Sequence, residues 1–322
     1  MTTGTIARRS VLASAAAAAL LPAVAPLRLR AADAPALTPV RIATAIDDTA
    51  MAVVFGVHTG RFRAAGLDVQ VTQASTGAAI AAGVAGGAYD IGKSSLTGVL
   101  NAHIRGVPFL FVAPGSVSDR KITNGNLIVA NDGGITSAKD LNGKTLSVAG
   151  LGGLDMVAIS VWIDENGGDS KTVKFIEIPQ TESAAAVGSH RIAATLLNHP
   201  QDVAALQTGA FHSLGEPFAA LAPLYMIAGW FAMADWIKAN HDAMLRFARV
   251  VEETAAYANA HHAETAPVLA DFSKTPLPVI QKMTRAVLGT SLTPALIQPV
   301  IDASAKYGVL SHSFPASEVI AS

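Results

Sequence analysis

Cysteine is absent from this chain of 322 residues. The absence excludes disulfides, thiolate metal sites and a cysteine nucleophile together. Charge is also sparse, because Asp, Glu, Lys and Arg make up 15% of the sequence and the formal net charge is −1. A chain with so little excess charge carries no electrostatic footprint for nucleic acid or anionic lipid, so we expect neither as a partner.

Recognisable catalytic and metal-binding motifs are missing as well. The sequence has no nucleophile elbow, no HExxH pair, no phosphate-binding loop with lysine and no calcium loop. His261 and His262 are adjacent, so their side chains point in different directions and suit solvent better than a metal. Catalytic triads can assemble from distant positions, but nothing in this sequence indicates one. We therefore predict no enzyme activity, no metal site and no cofactor.

The N-terminal segment of the sequence has three distinct parts. Paired Arg8 and Arg9 precede an alanine-rich apolar stretch from Val11 to about Leu27, and small residues follow it. This order is typical of a secretory signal peptide, and the arginine pair favours the twin-arginine export route. We predict a signal peptide over residues 1–34 and a periplasmic mature protein. The candidate cleavage triplets are Ala32-Asp33-Ala34 and Ala34-Pro35-Ala36.

A membrane anchor is the alternative for the same stretch. A spanning helix needs roughly 20 strongly apolar residues, whereas this stretch is shorter, only mildly hydrophobic and broken by Pro22 and Pro26. Cleavage is therefore favoured over anchoring, and no later segment is a better candidate for a span. The nearest, residues 214–237, is interrupted by Glu216, Pro217, Pro223 and Asp235.

Strand-like and helix-like patterns alternate from residue 39 onward. Residues 67–73 alternate apolar and polar side chains with period two, which is typical of a strand. Residues 240–262 keep apolar side chains at helical spacing. Such βαβ succession predicts mostly parallel sheets flanked by helices. Because the pattern restarts after Gly115 and ends in a helical tail, we predict an α/β fold of two lobes.

The predicted lobes are not both continuous in sequence. We place lobe one at residues 37–124 and 229–322, and lobe two at residues 125–228. The chain would cross between them near residues 120–128 and 222–230, and the tail would return to lobe one.

The stretch Gly150-Leu151-Gly152-Gly153-Leu154-Asp155 follows a predicted strand and opens a predicted helix. A dinucleotide fingerprint requires glycine at its first, third and sixth places. The sixth place here is Asp155, whose carboxylate would repel a pyrophosphate. Two other interpretations stay open. The bare N–H groups at the helix start can hold a smaller anion, or this is a plain tight turn in which Asp155 caps its own helix.

Three further strand-to-helix junctions carry polar side chains. In open α/β sheets, ligands bind at the carboxyl ends of the strands, where these junctions gather. Lys93 is the only full cation among them, and with its neighbouring hydroxyls it could hold a carboxylate or a sulfonate. The alternatives are an exposed lysine and hydroxyls that only cap helices. The junctions contain Asp47, Asp48 and Thr49, then Ser75 and Thr76, then Lys93, Ser94 and Ser95.

The order of several segments resembles a known protein family. Five segments follow one another along nearly all of residues 39–320: "TGRFRAAGLDVQV", "AGVAGGAYDIGKSSLTGVLNAHIRGVPFLFVAP", "DLNGKTLSVAG", "GEPFAAL" and "IQPVIDASAKYGVLSHSFPASEVI". As an ordered set they resemble the periplasmic substrate-binding proteins of ABC importers for nitrate, sulfonates, taurine and pyrimidine precursors. The resemblance implies a type II periplasmic binding protein fold, in which two lobes close on a small ligand.

The same resemblance implies a function and a ligand site. We expect an extracytoplasmic solute-binding protein that captures a small anion, such as a sulfonate, a carboxylate or nitrate, and delivers it to the membrane subunits of an ABC permease. Family members are usually monomers, so a monomer is expected. The ligand contacts that carry over by position are Asp47, Asp48, Ser75, Thr76, Lys93, Ser94, Ser95, Gly150, Gly152, Gly153 and Glu216.

One segment departs from the family pattern, and other functions stay open. His190 and Ala193 stand where the family usually has glycine and aspartate, so the identity of the ligand does not transfer across this strand. The fold also serves a pyrimidine synthase of thiamin biosynthesis, but that enzyme carries a cysteine-rich motif and this chain has no cysteine. A pyrimidine-precursor binder and a periplasmic ligand-sensing module are the remaining alternatives.

Overall fold

The computed structural model describes residues 36–74, 76–122, 125–198 and 201–322. The chain divides into the segment Met1–Ala36 and one compact unit, Leu37–Ser322. The predicted signal peptide lies outside the described residues, and so does Ser75. No helix among the described residues is long and apolar enough to cross a membrane.

Six strands form the first sheet of the compact unit. They are β1 (Thr38–Thr44), β2 (Leu67–Gln73), β3 (Ile91–Ser95), β4 (Phe109–Asp119), β10 (Leu224–Met233) and β11 (Val287–Leu288). Their order across the sheet is β11–β4–β10–β3–β1–β2. The late strands β10 and β11 lie beside β4, so the C-terminal third of the chain returns to this sheet.

Five strands form the second sheet. They are β5 (Gly125–Ala130), β6 (Thr145–Val148), β7 (Lys174–Glu177), β8 (Ala194–Asn198) and β9 (Phe211–Gly215). Their order across the sheet is β7–β6–β8–β5–β9. All of them come from one continuous stretch of sequence.

Both sheets combine parallel strands with an antiparallel crossing strand. β1 is parallel to β2 and β3, and β6 is parallel to β7 and β8. β10 runs antiparallel to β3 and β4, and β5 runs antiparallel to β8 and β9. Because β5 and β10 bring the chain in from the other sheet, they run against their neighbours. The short β11 is also antiparallel to β4. The predicted α/β fold of two sheets flanked by helices is confirmed.

Thirteen α-helices lie in the described residues, and local signals explain several of their ends. The Thr76 and Ser95 hydroxyls accept backbone N–H bonds three residues on and so begin two helices. Gly66 has a positive φ of 76°, which ends the first helical stretch. The helices are α1 (Met51–His58), α2 (Arg61–Ala64), α3 (Gly77–Ala85), α4 (Leu96–Ile104), α5 (Leu154–Glu165), α6 (Gln180–Gly188), α7 (Gln201–Gln207), α8 (Pro217–Leu221), α9 (Ala234–Ala239), α10 (His241–Ala260), α11 (His262–Ser273), α12 (Leu277–Ile280) and α13 (Pro294–Lys306).

Two large apolar clusters hold the unit together. One joins the first sheet to α1 and α10 and includes Met51, Trp230 and Phe247, all of them buried. The other contains Phe111 from the first sheet and Leu146 from the second. One apolar cluster therefore includes side chains from both sheets.

The chain passes between the two sheets twice. β4 ends at Asp119 before β5 begins at Gly125, and β9 ends at Gly215 before β10 begins at Leu224. The predicted end of lobe two at residue 228 falls inside β10, because residues from Leu224 onward already pair with β4.

Candidate functional site

A cleft of about 740 Å³ opens between the segments that carry the two sheets. Asp48, Ser116 and Arg285 line it from the side of the first sheet, and Asp155 and Asn198 line it from the side of the second. The polar lining follows the ends of strands, as expected for ligand sites in open α/β sheets. The cleft is therefore the candidate site.

Asp47 and Lys93 form an ion pair on the first-sheet side of the cleft. Lys93 Nζ lies 2.7 Å from Asp47 Oδ1 and also contacts the Thr49 hydroxyl. The Lys93 side chain is 4% exposed, whereas that of Asp47 is 42% exposed. A buried ammonium needs a partner, and Asp47 supplies it. The alternative of an exposed lysine is therefore wrong for Lys93, whereas its role as a ligand contact stays a prediction, with the ammonium already paired to a carboxylate of the protein.

Asp48 and Arg285 form a second, more deeply buried pair. Arg285 Nε and Nη2 lie 2.7 to 3.0 Å from the Asp48 carboxylate, and the Ala286 N–H donates to the same carboxylate at 2.7 Å. The two side chains are 9% and 7% exposed. Arg285 Nη1 also donates to the Thr265 hydroxyl at 3.3 Å. The guanidinium is therefore engaged from several directions, and Asp48 presents little free charge to a ligand.

The glycine turn before α5 is closed by contacts of its own. The Gly153 N–H donates to the Gly150 carbonyl at 3.2 Å, and Gly152 adopts a positive φ of 73°. The Leu151 N–H points to Glu177 Oε2 at 3.4 Å. A carboxylate of the protein thus already takes one of the turn's N–H groups.

Asp155 lies in the first turn of α5 and lines the cleft. Burial raises the pKa of its carboxyl, and hydrogen bonds from the N–H groups of Ala149 and of Asp155 itself act in the opposite direction. No cationic side chain lies within ion-pair distance of Asp155 in the described part of the chain. Burial also raises the pKa of the neighbouring Tyr225 hydroxyl, and the charge of Asp155 adds to that effect. The second-sheet side of the cleft therefore carries an acid without a counter-ion.

A known protein family matches most of this chain. The family model described as "NMT1/THI5 like" matches residues 49–265. The chain belongs to the NMT1/THI5-like family. No curated protein sequence matches it.

Solved structures share the fold of this family member at low sequence identity. The periplasmic aliphatic sulphonate binding protein SsuA from Escherichia coli is 15% identical with a TM-score of 0.70, over 88% of this chain and 92% of that one. The alkanesulfonate-binding protein SsuA from Xanthomonas axonopodis pv. citri, bound to MOPS, is 14% identical with a TM-score of 0.65, over 89% and 99%. The periplasmic nitrate-binding protein NrtA from Synechocystis PCC 6803 is 16% identical with a TM-score of 0.65, over 88% and 85%. The predicted resemblance to this class of binding proteins is confirmed.

The cleft contains some of the ligand-binding residues that were predicted from the sequence. Asp47, Asp48, Ser95, Gly150 and Gly153 line it. Ser75 lies outside the described residues. Five predicted residues are described but do not line the cleft, namely Thr76, Lys93, Ser94, Gly152 and Glu216.

Helix capping explains the hydroxyls at two predicted junctions. Thr76 accepts the Ala79 N–H at 3.1 Å, and Ser95 accepts the Gly98 N–H at 3.3 Å. The capping alternative is thus what the structure shows for both residues. Ser95 combines this role with a place in the cleft lining.

The sequence interpretation missed several cleft residues. Arg285 is 237 residues from Asp48, and no local motif marks it. Ser116 is 3% exposed, and its hydroxyl has no hydrogen-bond partner among the described residues. The Asn198 side-chain oxygen is likewise buried without a partner there. A usable signal existed for Asn198 alone, because the apolar run of residues 191–198 predicts a strand that ends at this residue.

A smaller cavity of about 330 Å³ lies in the second sheet's half, where the family pattern is broken. His190 has a positive φ of 54°, and its Nε2 lies 3.5 Å from Asp132 Oδ2. Lys144 and Arg191 line the same cavity. Within the described residues, no group of three or more His, Asp or Glu side chains is placed to hold a metal ion.

Proposed function

We propose that this chain is the solute-binding protein of an ABC importer, and that it captures a small solute in the 740 Å³ cleft. The bound protein would deliver the solute to the membrane subunits of a permease, and no bond would be made or broken. Closing of the two lobes around the solute would be the working motion.

The observation that carries this proposal is the composition of the cleft wall. Asp48 and Arg285 belong to the half that holds the first sheet, whereas Gly150, Asp155 and Asn198 belong to the half that holds the second. A ligand in the cleft touches both halves, so its binding free energy favours the closed arrangement over the open one. The cleft volume suits a small molecule.

The class of solute was predicted from sequence to be a small anion. The names of two structural neighbours, a sulphonate-binding and a nitrate-binding protein, support that class. The cleft itself does not, because Lys93 and Arg285 are paired with Asp47 and Asp48. Asp155 would also repel an anion. Solute capture and the charge of the solute therefore require separate tests.

Export to the periplasm is part of the proposal. It is supported by the arginine pair and the apolar stretch of the N-terminal segment, and by the periplasmic names of the neighbours. The twin-arginine route predicts that folded protein is exported and that the mature chain begins near Leu37. N-terminal sequencing of protein recovered from the periplasm tests this.

Two alternatives rest on the same fold. A pyrimidine synthase would be a cytosolic enzyme, and finding uncleaved protein in the cytosol would favour it. A sensing module would bind its ligand equally well, but it would associate with a receptor and not with a permease. Co-purification with membrane subunits separates importer from sensor.

Solute capture is tested by filling the cleft. Gly150 lines it, and a Cβ at this position meets no atom within 4 Å, so Gly150→Trp can attach a large side chain at the cleft wall. Thr181→Trp, on an exposed position of α6, is the matched control. Native mass spectrometry of protein from the periplasm and small-angle scattering of lobe closure are the measurements.

We expect wild type and Thr181→Trp to carry the same small molecule and to be more compact when it is bound. Gly150→Trp should fold, as judged by circular dichroism, yet carry nothing. A saturating ligand at 100 times its dissociation constant should add about 2.7 kcal/mol to the free energy of unfolding of the first two proteins alone. Equal ligand content in folded Gly150→Trp would contradict capture in this cleft.

A further inference from the structure

The charged side chains around the cleft are of two kinds, those in ion pairs and those without a counter-ion. Asp47 is paired with Lys93, and Asp48 is paired with Arg285. Asp155 has no cationic partner in the described residues. The cleft therefore presents a ligand with a carboxyl group that no cation of the described residues compensates.

The backbone donors at the start of α5 are also partly consumed. The N–H groups of Ala149 and Asp155 are close enough to the Asp155 carboxyl to counteract the rise in its pKa, and the Leu151 N–H lies 3.4 Å from Glu177 Oε2. A helix start binds an anion through N–H groups that have no other acceptor. Here two carboxyl groups of the protein already lie beside three of the N–H groups around this helix start.

A second, independent feature of the cleft is an unused polar group in its wall. Ser116 is 3% exposed, lines the cleft and has no hydrogen-bond partner for its hydroxyl among the described residues. The buried side-chain oxygen of Asn198, in the same lining, also lacks one. Buried polar groups without partners are rare in folded proteins. The Asn198 oxygen can only accept a hydrogen bond, and the Ser116 hydroxyl can accept as well as donate, so together they fit a ligand that donates.

Resting on the proposed capture function, we propose that the solute is a small organic amine or amidine, whose positively charged N–H group is bound by Asp155. Ser116 and Asn198 accept its remaining donors when the lobes close. The apolar part of the solute packs against Val117, Leu154, Phe218 and Ile227, which line the same cleft.

The physical basis is the difference between a paired and an unpaired carboxylate in a partly dry cleft. A hydrogen bond between two charged groups is stronger than a neutral one. A partly buried carboxylate that lacks a cation gains more from a ligand's charge than an exposed one does, because the effective dielectric is lower. An anion placed at the same point meets repulsion from Asp155 and finds fewer free N–H donors.

The test uses four probes with one ring and different head groups: benzylamine, benzamidine, benzoate and benzenesulfonate. Their affinities for wild type, Asp155→Asn and Glu165→Gln are measured by isothermal titration calorimetry. Glu165 is an exposed acid at the other end of α5, so Glu165→Gln removes the same charge from the same helix away from the cleft.

We expect benzylamine and benzamidine to bind wild type more tightly than benzoate and benzenesulfonate. Asp155→Asn should weaken the two cations by about 10- to 100-fold, the range for loss of a hydrogen bond to a charged group. Glu165→Gln should leave them unchanged. The two anions should bind Asp155→Asn no worse than wild type.

The inference is overturned if either anion binds wild type more tightly than the cations do, or if Asp155→Asn leaves the cations unaffected. It is also overturned if neither cation binds. Should the anions bind and close the cleft in scattering experiments, the capture function stands without this inference. Should Gly150→Trp keep its ligand, the capture function fails whatever the four probes do.

Discussion

The two sides of the cleft begin from similar sequence patterns and end in different electrostatic states. On the first side, Asp47 and Asp48 follow a strand, and cations from other segments neutralise both of them. On the second side, Asp155 follows a strand and a glycine turn, and no cationic side chain of the described residues pairs with it. Polar residues at a strand end are therefore not equivalent, because what pairs with them decides whether they are available to a ligand.

The contrast also distinguishes side chains that stabilise the fold from side chains that are available to bind a ligand. A buried pair such as Asp48 with Arg285 fixes the loop from which Ala286 donates its N–H, and it holds together segments far apart in sequence. An acid such as Asp155 is costly to bury without a partner. Residues kept at such a cost are candidates for binding.

The largest expected effect comes from breaking the deeper pair. Arg285→Met leaves the Asp48 carboxylate buried without its cation and should lower the free energy of unfolding by about 3–5 kcal/mol. Arg63→Met, which breaks the exposed pair with Asp68, is the control and should cost under about 1 kcal/mol. Urea denaturation measures both. Equal costs would show that the two pairs do not differ as their burial suggests.

A smaller loss is expected when the shallower pair is broken. In Lys93→Met, Asp47 loses its partner but stays 42% exposed, so water can replace part of the interaction. The free energy of unfolding should fall by about 1–2 kcal/mol. Lys174→Met, at an exposed position in β7, should stay within about 0.5 kcal/mol of wild type. If Lys93→Met lost as much free energy of unfolding as Arg285→Met, the two ion pairs would not differ in their contribution to stability.

The smallest effect should have the opposite sign. Burial raises the pKa of Asp155 in the folded state, so above the pKa of an unfolded Asp, about 3.9, ionisation favours unfolding. Asp155→Asn removes this penalty and should raise the melting temperature at pH 7. The gain should shrink as the pH falls towards about 3.9 and should be lost below it, where the carboxyl is protonated in both states.

Differential scanning calorimetry across this pH range measures the difference between wild type and Asp155→Asn. The exposed Glu165→Gln serves as control and should give no comparable gain. A lower melting temperature for Asp155→Asn at pH 7 would show that the carboxylate stabilises the start of α5 more than its burial opposes it. The acidic side chains on both sides of the cleft would then stabilise the fold.

Local sequence was sufficient for much of the architecture. The period-two pattern of residues 67–73 predicts β2, and the helical spacing after Asn240 predicts α10. Thr76 and Ser95 were recognisable as helix caps because a cap needs only a hydroxyl and an N–H group three residues on. The alternation of strands and helices also predicted two sheets, because each βα unit buries its own apolar face against its neighbours.

The sequence by itself therefore determined most of the elements, their order and several strand ends at which a ligand could sit, since these depend on residues within a few positions of each other. The strands β9 and β11 were not among those predicted. Only the tertiary structure decided which charges remain available. Lys93 meets Asp47 across 46 residues, and Arg285 meets Asp48 across 237. No periodicity or turn signal records such distant partners, because an ion pair depends on where folding brings two side chains and not on how far apart they stand along the chain.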